Sequence, residues 1–381
     1  MRGGWTQPEQ SDSIGRRGGW PASAGRMAWV AIWMPMMLFG CGEFLAEPDA
    51  ALVSLKGAGR TRIAEEADLA LAATVSLAAD GDHVLLDLGR SEAGDEWWIV
   101  AEGDAGDARR VVLALLDADE SLLVRERLST DVPVRHIVRR STEHLYAAVM
   151  STTAEPLALT LVAGLWRGRT VPAPQPQVVW LNFDGGRDVR ICDCTAMSFS
   201  PFDAAVLGGP YAGSTSLIKD EIVRVMREVY ADYNVVIWGS HERAKPEGPC
   251  SVVHFGGDDE RHLGMGHHVD RYNQEPDDEA IVYVEAFAAY ATMELTPGEM
   301  GRMLGTVASH ELGHLLGLYH TCGTANLMDS SRTAWDLVGP SDFGAAPLAQ
   351  SVFVLGQEDA DALLAQTVGC REGLAVARAA D

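Results

Sequence analysis

From residue 52 to residue 166 the chain advances in short apolar runs separated by Gly, Asp and Ser. Examples are HVLLDLG (83–89), EWWIVAEG (96–103), RVVLALLDAD (110–119), HLYAAVM (144–150) and LALTLVAG (157–164). Runs of this length between turn residues predict strands, and their regular spacing predicts an antiparallel β-sandwich over 52–166. The segment RGRTVPAPQPQ (167–177) places three prolines in alternation, which favours an extended linker.

Beyond the linker the period changes. QVVWLNFDG (177–185), VVIWGS (235–240), SVVHFGG (251–257) and AIVYVEAF (280–287) predict strands, and GMGHHVD (264–270) suits an exposed edge strand. In STSLIKDEIVRVMREVYADYN the residues Leu217, Ile218, Ile222, Val225, Met226, Val229 and Tyr230 recur at helical spacing, with Ser216 as the expected cap. TPGEMGRMLGTVASHELGHLLG (296–317) predicts a second helix capped by Thr296, with Pro297 at its first position. A last helix is expected over about 357–367 after a long irregular stretch. The expected class from 178 to 370 is therefore α+β, in the order strand, helix, several strands, helix, loop and a C-terminal helix. It follows the sandwich and precedes a short tail at 371–381.

Composition narrows the function. The 381 residues are 47% hydrophobic, enough for packed cores, and carry a formal net charge of −24. That balance opposes a general nucleic-acid binder, which needs a basic face. Residues 1–41 read as a leader rather than as fold. MAWVAIWMPMMLFG (27–40) has the length of a signal-peptide apolar core and is short for a bilayer span. It ends at Cys41, and LFGC resembles a bacterial lipoprotein signal. That resemblance implies a lipidated Cys41; a plain secretory signal cleaved nearby is the other reading. The expected location is the cell envelope or the medium, with membrane contact only through the anchor. Five further cysteines, Cys192, Cys194, Cys250, Cys322 and Cys370, are an odd number, so at least one thiol stays free or pairs between chains.

The chemistry concentrates in SHELGHLLGLYHT (309–321). His310 and His314 are four apart, so a helix projects both from one face. Glu311 lies beside them. Gly317 falls where a helix can end, because glycine takes positive φ without strain. His320 can then turn back toward the other two. Three neutral imidazoles converging on one point suit a tetrahedral zinc with one open position, as catalysis requires. Chance placement of all five anchors is on the order of 10⁻⁴ or less.

At these residues the sequence resembles the metzincin metalloproteases, whose signature is HExxHxxGxxH followed by a Met-turn. His310, Glu311, His314, Gly317 and His320 fill every fixed position. Met328, eight residues after His320 in ANLMDSS, matches the Met-turn at a spacing similar to the matrixins. The resemblance implies a zinc-dependent endopeptidase with His310, His314 and His320 as ligands. It also implies Glu311 as general base and Met328 as a packing floor. A peptide or protein substrate would lie along Gly264, Met265, Gly266, His267 and His268. His262, His267, His268 and Asp270 form a second cluster. Solvated or locally bonded side chains are the simpler reading, and a structural calcium or second zinc is the alternative. Two other functions fit the sequence. One is a zinc-containing but inactive surface binding protein, against which Glu311 argues. The other is an adhesive lipoprotein working through its sandwich.

Overall fold

The computed structural model describes residues 51–52, 56–57, 67–191, 196–323 and 326–371. The leader, the apolar run at 27–40, Cys41, Cys192 and Cys194 lie outside them. No helix among the described residues is long and apolar enough to cross a membrane.

In chain order the first half carries β1 (Ala51–Leu52), β2 (Lys56–Gly57), β3 (Leu69–Leu77), β4 (His83–Ser91) and β5 (Glu96–Glu102). The one-turn helix α1 (Ala105–Ala108) follows, then β6 (Val111–Leu116), β7 (Leu122–Arg127), β8 (Val134–Ile137), β9 (Thr142–Ser151) and β10 (Leu157–Trp166). They form two five-stranded sheets, ordered β1-β4-β9-β6-β7 and β2-β3-β10-β5-β8. Between them lies a core that includes Trp97, Ile99, Leu113, Leu145, Val149 and Leu161. In β6 the alternation is lost: VVLALL is buried at all six positions. A strand reads as a continuous apolar run when both of its faces are covered. The inner face of β6 meets the paired sheet, and its outer face meets residues 348–353.

The second half runs β11 (Gln177–Asn182), β12 (Gly186–Val189), β13 (Met197–Phe199), α2 (Thr215–Val229), β14 (Val235–Gly239), β15 (Ser251–Phe255), β16 (Gly264–Gly266) and β17 (Glu279–Val282). Then come α3 (Pro297–Leu315), β18 (Ala345–Pro347), β19 (Gln357–Asp359) and α4 (Ala360–Thr367). A five-stranded sheet takes the order β14-β11-β15-β17-β16. Its pairs are parallel except at the edge, where β16 runs antiparallel to β17. The helix α3 starts where the sequence places its cap. Thr296 accepts the Glu299 backbone N–H, and the Glu299 carboxylate accepts the Thr296 N–H, a complete capping box. Close approach of α3 to α2 needs two glycines. A Cβ at Gly301 would stand 2.8 Å from Glu221 Cβ, and one at Gly305 would stand 2.9 Å from Val225 Cβ.

The expected class, an α+β metzincin-like catalytic domain behind an antiparallel sandwich, is corrected by the balance of elements. Strands make up 34% and helices 21% of the described residues, and the described strands form five sheets, so the architecture is β-rich. Pairing between segments distant in sequence produces the excess. Helix is concentrated in α2 and α3, while segments read as loop or helix became extended. Gln357–Asp359, expected to open the last helix, pairs with Ala345–Pro347 instead. A further hairpin joins β12 to β13. The AIVYVEAF run leaves the sheet at Val282 and continues as a 3₁₀ helix, Val284–Met293. The cap of α2 is Ser214 rather than Ser216, and its side chain makes no capping bond. The described residues form one compact unit.

Candidate metal centre

The helix α3 delivers His310 and His314 one turn apart, with ring centroids 4.8 Å apart and planes at 88°. The helix ends at Leu315, and Gly317 reverses the chain with φ at +98°. No other residue fits there, because a Cβ would stand 2.8 Å from both Arg271 Cα and Asp270 O. Leu318 N–H then donates to Gly313 O at 2.9 Å, closing the helix end. His320 returns so that its Nε2 lies 3.1 Å from the Nε2 of His310 and 3.1 Å from that of His314. Donors held at about 2.05 Å from a tetrahedral ion stand about 3.3 Å apart, so the spacing suits a small metal.

The protonation pattern agrees. His310 Nδ1 donates to Leu327 O at 2.8 Å, and His314 Nδ1 donates to Leu318 O at 2.8 Å. A carbonyl partner fixes the proton on Nδ1 and leaves the Nε2 lone pair facing inward. Burial, followed by the neighbouring His320, pushes His310 down to about 3. Burial and then the other two rings hold His314 well below the ordinary histidine range, and burial also lowers His320. All three are neutral at physiological pH, the state that ligates. The His310–His314–His320 group can hold a metal ion. Among the described residues no second group of three His, Cys, Asp or Glu donors converges in this way.

Glu311 is buried beside β16, where the backbone N–H of Gly266 favours its charged form. Burial raises its pKa to about 8. A dication at the histidines would oppose that rise. The edge strand lies hard against this carboxylate: a Cβ at Gly264 would stand 2.6 Å from Glu311 Oε1. Met265 shares that strand, whereas His267 and His268 lie just beyond it, their rings edge to face at 5.2 Å. Met328 is buried, and a Cβ at Gly313 would stand 2.6 Å from its Sδ. Its turn is clipped to the segment after His320, because Thr321 N–H donates to Met328 O at 2.9 Å and Ser330 N–H to Thr321 O at 3.0 Å.

The remaining cluster residues bond locally. His262 Nδ1 meets Asp259 Oδ1 at 2.9 Å, and Asp270 accepts the backbone N–H groups of Gln274 and Glu275. His254 sits within the sheet between Asn182 Nδ2 at 2.9 Å and Glu279 Oε2 at 3.2 Å. Cys250 and Cys370 carry free thiols.

Several contributors left no motif. Asn326 Oδ1 accepts from Thr321 Oγ1 and from Met328 N–H, bracing the turn. Arg332 is buried, with Nη2 on Asp336 O and Ser341 Oγ and with Nε and Nη1 lacking hydrogen-bond partners. Its charge further disfavours protonation of His310. The Asn at the turn could have been suspected from turn chemistry; the arginine's burial could not.

No family model matches the chain, and no curated protein matches it. Solved structures resemble it in part. A Yersinia pseudotuberculosis-derived mitogen is 14% identical over 26% of this chain and 89% of its own, with a TM-score of 0.21. A mutant lectin-binding domain of lectinolysin complexed with Lewis b is 9% identical over 29% and 92%, with a TM-score of 0.19. IMPa from Pseudomonas aeruginosa in complex with an O-glycopeptide is 12% identical over 72% and 33%, with a TM-score of 0.19. Likenesses at these TM-scores define neither fold nor function.

Proposed function

We propose that this protein is a zinc-dependent endopeptidase of metzincin type, with His310, His314 and His320 as zinc ligands and Glu311 as general base. One observation carries the reading: three neutral imidazole Nε2 atoms converge beside a buried glutamate that no metal ligand set requires. The HExxHxxGxxH resemblance supports it. Zinc suits an all-nitrogen tetrahedral site, and when bound it supplies a Lewis acid that acidifies water and polarises a carbonyl. The chain's own groups do the rest. A peptide aligned on β16 gains main-chain hydrogen bonds by strand addition. Glu311 takes the proton of the attacking water on its carboxylate and passes it to the leaving amine nitrogen. A raised intrinsic pKa suits a group that must both accept and return a proton.

Glu311→Ala should keep zinc and fold while cleavage of a peptide library falls on the order of 10²–10⁴-fold. His320→Ala should lose much of its zinc, since two protein ligands hold it less well than three. Mass spectrometry for zinc, beside the cleavage assay, separates the two effects. Near-normal turnover by Glu311→Ala at full zinc occupancy would remove the mechanism. Wild-type protein that holds zinc yet cleaves nothing would favour the inactive binding protein.

Export and lipidation at Cys41 belong to the same proposal. Wild-type protein should partition with membranes, and Cys41→Ser should not. Wild-type recovered wholly from the medium, with its N-terminus away from Cys41, would rule the anchor out.

A further inference from the structure

The histidine that closes the metal cluster is not held by α3. Its chain neighbours are built into a seam with the two-sheet N-terminal half. Tyr319 and residues 348–353 form one apolar cluster with the outer face of β6, β7 and β9. Leu348, Ala349, Val352 and Phe353 lie there against Val112, Ala114, Leu116, Leu122, Ala148 and Met150. The backbone of His320 is anchored in that cluster, because Ala349 N–H donates to His320 O at 2.9 Å and Thr321 bridges Leu348.

Polar groups weld the same seam. Arg271 is buried and makes both Glu358 carboxylate contacts at 2.9 Å. It also donates to Gly317 O at 2.9 Å, to Leu123 O at 3.1 Å and to Leu122 O. One guanidinium therefore ties the end of α3 to the start of β7. Glu358 in turn accepts the Tyr319 N–H at 3.0 Å, one residue before the ligand. Arg125 of β7 donates to Val352 O at 2.7 Å. Departure of the N-terminal half would uncover the apolar cluster and strip a buried arginine of two carbonyl partners, which is costly.

We infer that the N-terminal two-sheet half is a resident part of the metal centre, and that Arg271 is a positioning residue which sets the third ligand, His320, through Gly317, Glu358 and Tyr319. This goes beyond peptide cleavage and rests only on the histidine cluster holding a metal. Groups that orient a ligand typically change metal affinity by about 10–100-fold when removed. Binding and seam order must also be linked in both directions.

The test uses the full chain with Zn²⁺ as probe. Zinc loss to an excess of chromogenic chelator is timed for wild type, Arg271→Gln and Phe353→Ala. Ile99→Ala, in the core between the two sheets and away from the seam, serves as the control for general destabilisation. The seam variants should release zinc at least about tenfold faster than wild type, and the control within about twofold. Hydrogen exchange of the wild type needs no variant to fold. Zinc should slow exchange at 348–353, 112–116 and 122–125 clearly more than in β3 and β10, whose protection rises only with global stability. Equal release by seam variants and control, or protection confined to 310–330, overturns the inference while leaving the protease reading intact. Wild type that binds no zinc overturns both.

Discussion

At the scale of single residues, burial holds several titratable groups in their neutral form. The three histidines are held neutral by burial, and Asp278 shows the same effect with the opposite sign. It is buried, its Oδ1 accepts from Ser251 Oγ at 3.0 Å, and its Oδ2 has no hydrogen-bond partner. Burial, reinforced by Asp270, Glu275 and Asp277 and opposed by the Ser251 bond, raises its pKa from 3.8 to about 8. Between those values the folded chain keeps a proton that the unfolded chain has released. The stability it contributes is thus fully present below about pH 4 and is lost as pH rises through about 8. Asp278→Asn keeps the Ser251 bond and the neutral state at every pH. Its stability advantage over wild type should grow between about pH 5 and about pH 8, reaching the order of 1 kcal/mol or more. Urea unfolding at the two pH values measures it, and a pH-independent difference would show that Asp278 is not the titrating group.

At the scale of elements, the site depends on how closely β16 lies against α3. Gly264 has no side chain, and the Glu311 carboxylate occupies the space a Cβ would take. Gly264→Ala should push the strand or the carboxylate aside while leaving the three histidines in place. Zinc content should hold, and cleavage should fall by roughly 10²-fold, the usual cost of a misplacement near 1 Å. Unchanged turnover would mean that β16 does not align the substrate. Much of this arrangement was legible in the sequence. The four-residue interval of His310 and His314, the Thr296 cap with Pro297 after it, and Gly317 are local signals, each written within one turn of helix. The edge strand was legible only as a Gly-bearing segment, and it proved shorter than GMGHHVD, closing at Gly266. The overall class was not legible. Whether Gln357–Asp359 coils or extends is decided by pairing with Ala345–Pro347, ten or more residues away, and nothing local records that. Arg271 and Glu358 were equally silent. Each looks like a surface charge until the fold brings the pair together over 87 residues of chain.

At the scale of the whole molecule, the question is whether the two halves unfold together. Their link is not only the 167–177 segment. An apolar cluster is shared between β6, β7 and β9 and residues 348–353, with Arg125 and Arg271 crossing the same boundary. Arg139, just after β8, adds a further tie through Nη1 to Gln366 O at 2.9 Å in α4. Cooperative units follow shared buried surface, so melting one half would expose core of the other. Calorimetry of the full chain should give a single transition. On the proposed site, zinc is held only where the fold brings the three histidines together, so it should raise that transition as a whole, by an amount growing with the logarithm of free zinc. The readout should be the same for tryptophan emission, which includes buried Trp97 between the N-terminal sheets, and for far-ultraviolet ellipticity, to which α2 and α3 contribute. Two resolved transitions, with only one of them moved by zinc, would show that the seam is too weak to couple the halves.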